Sequence, residues 1–149
     1  MPLYFAFGSN MDAAQMARRC PGAETMGPGT LQAHRLVFRG PSRNRGGGVL
    51  SVDASPGDQV TGVLYRVTDA DLEALDRFEG APQWYVRATR TVDGGDGDAH
   101  EAVIYRLPGH VTEMPPTDAY LAQVARAFAD LGLDPSPLHA AAIRAAAAA

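Results

Sequence analysis

The sequence contains no lysine. All 13 of its basic residues are arginines, which removes Schiff-base chemistry, pyridoxal phosphate attachment and the P-loop, since each needs a primary amine. Cysteine is almost as scarce: Cys20 stands alone. That excludes an internal disulfide, a CxxC redox pair and a Cys-rich zinc site. The four histidines, His34, His100, His110 and His139, are scattered, with no HExxH and no pair at helical spacing, so no metal site is expected. No stretch approaches 18 consecutive apolar residues, and the start, MPLYFAFGSN, lacks a basic leader region. The expectation is a cytoplasmic protein with no membrane partner. With 17 acidic residues the formal net charge is -4, which argues against nucleic acid as a partner. Carboxylate-based and hydroxyl-based chemistries remain.

What is present fits one domain over residues 1–149. A chain of this length buries about two-thirds of the surface it exposes when unfolded, so a single core needs no staples. Leu3 to Phe7 reads as a strand, Gly8-Ser9-Asn10 as a tight loop, and MDAAQMARR as a helix, with Ser9 and Asp12 in capping-box spacing. Strand-like runs follow: LQAHRLVFR, GVLSVDAS, QVTGVLYRV, WYVRATRTV and EAVIYRL. A helix lies between Val67 and Gly80, with Thr68 and Asp71 as capping box, and another runs roughly from Thr117 to Leu131. The alanine-rich tail, about 140–149, has helical propensity from its alanines but little to pack, and is expected to fray. Glycine and proline make up 27 residues, which suits many turns. The element order predicts an α+β domain whose largely antiparallel strands curl around a core, with helices outside.

Two places offer chemistry. At Phe7-Gly8-Ser9-Asn10 a strand turns through glycine into a helix start, which leaves backbone N–H groups free to face an anion or oxyanion, and Asn10 adds a side-chain amide. An ordinary helix start has the same pattern. Ser9 as nucleophile is disfavoured, because the G-x-S-x-G elbow is missing. The second place is Leu75-Asp76-Arg77-Phe78-Glu79-Gly80. Glu79 falls at a helix C-terminus, where the macrodipole opposes a carboxylate by about 0.3 to 1 kcal/mol. Such an acid, sheltered by Phe78 and Trp84-Tyr85, holds its proton more readily and suits acid–base work; a surface glutamate at a fraying end is the plain alternative. The run RGPSRNRGGG, Arg39 to Gly48, reads as a solvated glycine-rich loop, with a basic rim for an acidic substrate as the other reading. DGGDGD at 93–98 reads as a hairpin turn, since no closing glutamate stands at calcium-loop spacing.

Taken together, YFAFGSNM, RCPGA, VTGVLYRVT, LDRFEG with Tyr85 and Arg87, and AYLAQVARAFADLGL resemble the γ-glutamylcyclotransferase (AIG2-like) family, from about Leu3 to Leu133. The weight lies in the pairing of the GSN loop with an LD-x-x-EG motif some 70 residues later. Phe7 departs from that pattern, standing where the family usually has tyrosine. The resemblance implies a mixed, largely antiparallel barrel with flanking helices and a cavity between the GSN loop and the Glu79 helix end. The implied reaction needs no cofactor: the free α-amine of a γ-glutamyl group attacks its own γ-carbonyl, closing 5-oxoproline and expelling an amine or amino acid. Glu79 would transfer the protons, and Phe7, Gly8, Ser9 and Asn10, with Tyr105 from VIYRL, would bind the small-molecule γ-glutamyl substrate. A monomer or homodimer is expected. Hydrolysis by water activated at Glu79, and a non-catalytic ligand-binding module on the same fold, are the alternatives.

Overall fold

A computed structural model describes Met1 to Ala149. The strands are β1 (Leu3–Ala6), β2 (Glu24–Arg39), β3 (Val49–Arg66), β4 (Val86–Gly94) and β5 (Ala99–Arg106). The helices are α1 (Ala13–Arg19), α2 (Asp69–Glu79), α3 (Asp118–Asp130) and α4 (Ser136–Ala148), and a short 3-10 turn spans Ser9–Met11. The strands close into a barrel in the order β1-β3-β2-β4-β5. Every pairing is antiparallel except β1 with β5, where Tyr4 faces Val103.

Two of the expected strands, GVLSVDAS and QVTGVLYRV, are the halves of one 18-residue strand, β3. The SPGD between them is a turn signal, and it does interrupt the ladder: Ala54 pairs with His34 and Gln59 with Gln32, so Ser55–Asp58 loop out opposite Ala33. Bulges of this kind bend long strands, and β2 and β3 must bend to close so small a barrel. The interior is apolar, with Phe5, Phe38, Leu50, Leu64 and Ile104 essentially without solvent contact. No helix is long and apolar enough to cross a membrane.

Helices α2 and α3 form as their spacing predicts. Thr68 caps α2 in a full capping box with Asp71, and Gly80 ends it in the left-handed conformation at φ 64°. On α3, Tyr120, Val124, Ala127 and Phe128 lie buried on one face. The expected Ser9–Asp12 capping box does not form. Asp12 is itself the N-cap of α1, its carboxylate accepting from the N–H groups of Ala14 and Gln15. Ser9 belongs instead to the 3-10 turn, which leaves its hydroxyl free for other work.

The tail differs most from expectation. In place of a frayed end, Ser136–Ala148 is a helix that buries Leu138, Ala141 and Ala145. Arg144 donates to the Leu36 carbonyl at 2.8 Å. Alanines separated by three and four residues expose little side chain, so composition made the segment look featureless. That flatness is also what lets a helix lie close against β2.

Candidate active site

The loop after β1 and the end of α2 meet at one side of the barrel. Glu79, the last residue of α2, is anchored through its backbone, its carbonyl accepting from Tyr85 N–H at 3.3 Å. Its side chain faces the GSN turn. The Asn10 amide donates from Nδ2 to Glu79 Oε1 at 3.3 Å and to the Tyr4 hydroxyl at 3.0 Å. Residues 69 apart in the chain thus share a hydrogen bond.

Two adjacent spaces surround this contact. An open cleft of about 740 Å³ lies outside, and a small chamber of about 40 Å³ lies within, both bounded by Ser9, Glu79, Tyr85 and Tyr120. The chamber has room for one small polar group and not for a substrate chain. Its walls are aromatic: Tyr4, Phe7, Tyr85, Tyr105 and Tyr120 contribute. Tyr85 and Tyr120 are fixed by one residue of β3, Leu50, whose carbonyl accepts from Tyr85 at 2.7 Å and whose N–H donates to the Tyr120 hydroxyl at 3.2 Å.

Electrostatics in the cleft run against those of the whole chain. Arg19, Arg43, Arg45 and Arg77 line it, with Glu79 as its single acid, in a protein of net charge -4. Glu79 keeps some contact with the cleft but is closely surrounded by protein. Burial pushes its carboxyl up from 4.5 to about 7, against the opposing pull of Arg19 and Arg45. The tyrosines around it stay neutral: burial first, and the Glu79 charge second, hold Tyr4 well above its ordinary value, and burial raises Tyr120 to about 12. A carboxyl that both binds and releases a proton near neutrality, at the junction of the two spaces, is placed for general acid–base chemistry.

The residues singled out in the sequence come together, with differences of role. Phe7, Gly8, Ser9, Asn10, Glu79 and Tyr105 all border the inner chamber. The N–H groups of Phe7 and Gly8 donate to no protein acceptor, so they remain available to an anion. A Cβ on Gly8 would meet the Tyr120 hydroxyl at 3.5 Å, an ordinary contact, so the protein's own packing does not demand glycine there. Tyr105 contributes its ring only. Its hydroxyl donates to Asp76 at 2.6 Å. Asp76 is pushed up by burial but held below its ordinary value overall by this bond and by Arg87.

Sequence reasoning did not single out Arg19 or Tyr120, and it met Arg45 only through the less favoured reading of the 39–48 run as a basic rim. The 39–48 run is no freely solvated loop: Ser42, Gly47 and Gly48 are buried, and a Cβ on Gly48 would collide with the Met114 carbonyl. Its glycines serve close packing, and that packing carries Arg45 over the Tyr120 ring, 5.2 Å from the centroid. Arg19 similarly lies over Phe78 at 4.8 Å. Arginines clustered among tightly packing glycines were the available signal. No group of three or more His, Cys, Asp or Glu side chains is arranged to hold a metal ion.

Residues 4–122 match the family described as "Gamma-glutamyl cyclotransferase, AIG2-like". A Gamma-glutamylcyclotransferase of Bos taurus is 32% identical over 123 residues, covering 79% of this chain and 65% of its own length. The Homo sapiens Gamma-glutamylcyclotransferase is 35% identical over 82 residues, covering 52% and 44%. The chain therefore spans about half to two-thirds of the curated relatives it matches. Among solved structures, a gamma-glutamyl cyclotransferase superposes with TM-score 0.84 at 27% identity, over 91% of this chain and 82% of its own. With that family's pattern matched across four-fifths of its length, the chain belongs to the AIG2-like γ-glutamyl cyclotransferase family.

Proposed function

We propose that the protein is a cofactor-independent γ-glutamylcyclotransferase that converts a γ-glutamyl amide to 5-oxoproline and releases an amine or amino acid. The observation that carries this reading is Glu79: a proton-holding carboxyl poised near neutrality, bonded to Asn10 and set between a one-group chamber and a cationic cleft.

The chemistry follows from the substrate. Its α-ammonium must lose a proton before the nitrogen attacks the γ-carbonyl carbon, and the leaving nitrogen must gain one as its bond to that carbon breaks. One carboxyl accepts the first proton and supplies it to the leaving nitrogen; the second proton that the attacking nitrogen sheds on becoming the lactam N–H passes to the released amine, which departs as an ammonium, so atoms and charge balance without a co-reactant. Nucleophile and electrophile belong to the same molecule, and the site has only to fold it into reach. The free N–H groups of Phe7 and Gly8 suit either the substrate carboxylate or the tetrahedral oxygen. Arg19 and Arg45 favour an anionic substrate at the mouth.

Mass spectrometry of the protein incubated with a panel of γ-glutamyl compounds tests the proposal. The expected product is 5-oxoproline, with N-acetylated analogues inert. Free glutamate from the parent compounds, or release of the amine from an N-acetylated analogue at the parent rate, establishes hydrolysis instead. Binding without any turnover across the panel establishes a binding module.

A further inference from the structure

Between the GSN turn and the 39–48 loop stands a side chain that neither the motif nor the proposed reaction uses. Gln15, in the first turn of α1, is 6% exposed, and all four hydrogen-bonding positions of its amide are filled. Its Nε2 donates to Ser9 Oγ at 2.8 Å and to Asn10 Oδ1 at 2.9 Å. Its Oε1 accepts from Arg45 at 3.3 Å and from Gln123 Nε2 at 2.9 Å. Gln123, on α3, closes the circuit by accepting from Arg45 at 3.0 Å and donating to Asp12 Oδ2 at 3.4 Å. The pattern permits one orientation of the Gln15 amide, since rotating it would face its NH2 toward the NH2 groups of Arg45 and Gln123.

The orientation passes on to Glu79. Asn10 Oδ1 accepts from both Gln15 and Arg19, the latter at 3.2 Å, which turns the Asn10 NH2 toward Tyr4 and Glu79. Were Asn10 reversed, its carbonyl oxygen would face the carboxylate. We infer that Gln15 is a positioning residue that acts on Glu79 through two others, fixing the Asn10 amide toward the carboxyl and holding the Arg45 guanidinium over the cleft. The inference rests on the reading of Glu79 as the proton-transfer group.

The charged and titratable groups facing Glu79 are Tyr4 from β1, Arg19 from α1, Arg45 from the β2–β3 loop, Tyr85 after α2 and Tyr120 from α3. The three tyrosines stay neutral through the working range, so what Gln15 changes is the placement of Asn10 and a positive charge. The test is a ¹³C NMR titration of the glutamate side-chain carboxyls. The chain has five glutamates, and Glu79→Gln identifies the signal among Glu24, Glu73, Glu101 and Glu113. No substrate is needed, so failure of the cyclisation reading and failure of this one register in different experiments.

Gln15→Met keeps the bulk and removes all four bonds. The Glu79 midpoint should rise by roughly half to one pH unit, part of the effect of an opposite charge at close range. Arg45→Met should also raise it, and the double variant should show less than the sum, because part of what Gln15 does is hold Arg45. A folded Gln15→Met protein with an unmoved midpoint, or full additivity in the double variant, overturns the inference. If Gln15→Met does not fold, the wild-type amide decides. Its NH2 protons should exchange with solvent far more slowly than those of exposed Gln59, and equal exchange overturns the inference.

Discussion

Replacing Glu79 by glutamine should stabilise the protein in a way that depends on pH. The folded carboxyl titrates near 7 and the ordinary value is 4.5, so between those pH values the folded state holds a proton that the unfolded chain has released. Stability of the wild type must therefore fall as pH rises through that window. At about 1.4 kcal/mol per unit the ceiling is roughly 3 kcal/mol, and partial contact with the open cleft brings the expected figure to about 1 to 3 kcal/mol. Glutamine does not titrate, and it can still accept from Asn10. The gap in unfolding free energy between Glu79→Gln and wild type should thus be small at pH 4.5 and favour the variant by about 1 to 3 kcal/mol at pH 8. In melting temperature that is several degrees for a chain of this size. Urea unfolding at the two pH values measures it. A gap that is flat with pH means the carboxyl is not strained by burial, and the acid–base argument loses its basis. In the same variant, cyclisation should fall by roughly 10²- to 10⁴-fold, while Glu73→Gln, mid-helix and exposed, should leave it almost untouched.

Tyr105→Phe should cost about 1.5 to 3 kcal/mol of stability, because Asp76 loses a short bond to a charged acceptor, yet kcat should stay within a few-fold. A 100-fold loss of kcat would place the hydroxyl in the reaction. Arg43→Gln together with Arg77→Gln removes two cleft arginines that no acid neutralises. KM for γ-glutamyl compounds with an anionic leaving group should rise several-fold at low salt and less at high salt, with kcat little changed. An unchanged KM at low salt would count these arginines as solvated surface. Leu138→Ala should cost about 2 to 5 kcal/mol in urea unfolding, as for a core leucine, because α4 buries that side chain completely. A cost near zero would mean that the terminal helix contributes nothing to the fold in solution.

How far the sequence disclosed this site depends on what kind of information each residue carries. Glu79 and the GSN turn drew notice because their chemistry conflicts with their surroundings, an acid at the wrong end of a helix and a glycine turn with unpaired N–H groups, but an ordinary helix start and a surface glutamate fit the same residues until the two motifs were read together as a family pattern. Helix α2 was legible because its capping box and left-handed glycine are local signals. Arg45, Gln15 and Tyr120 carry no local conflict. An arginine in a glycine-rich loop, a glutamine in a helix and a tyrosine on an apolar face are each ordinary, and they acquire a role only when the barrel gathers residues 15, 45 and 120 around the same site. The 39–48 run misled for a physical reason, since glycine serves flexibility and close packing equally well. Which of the two applies is settled by the Met114 carbonyl, more than sixty residues away in the chain. The alanine tail misled in the same manner: a small side chain is weak evidence of a core until a partner surface is known, and for α4 that surface is β2. The parts of a site that perform chemistry leave marks in short stretches of sequence, whereas those that aim and tune it are written in long-range contacts, so the Gln15 circuit is where variants will separate the two.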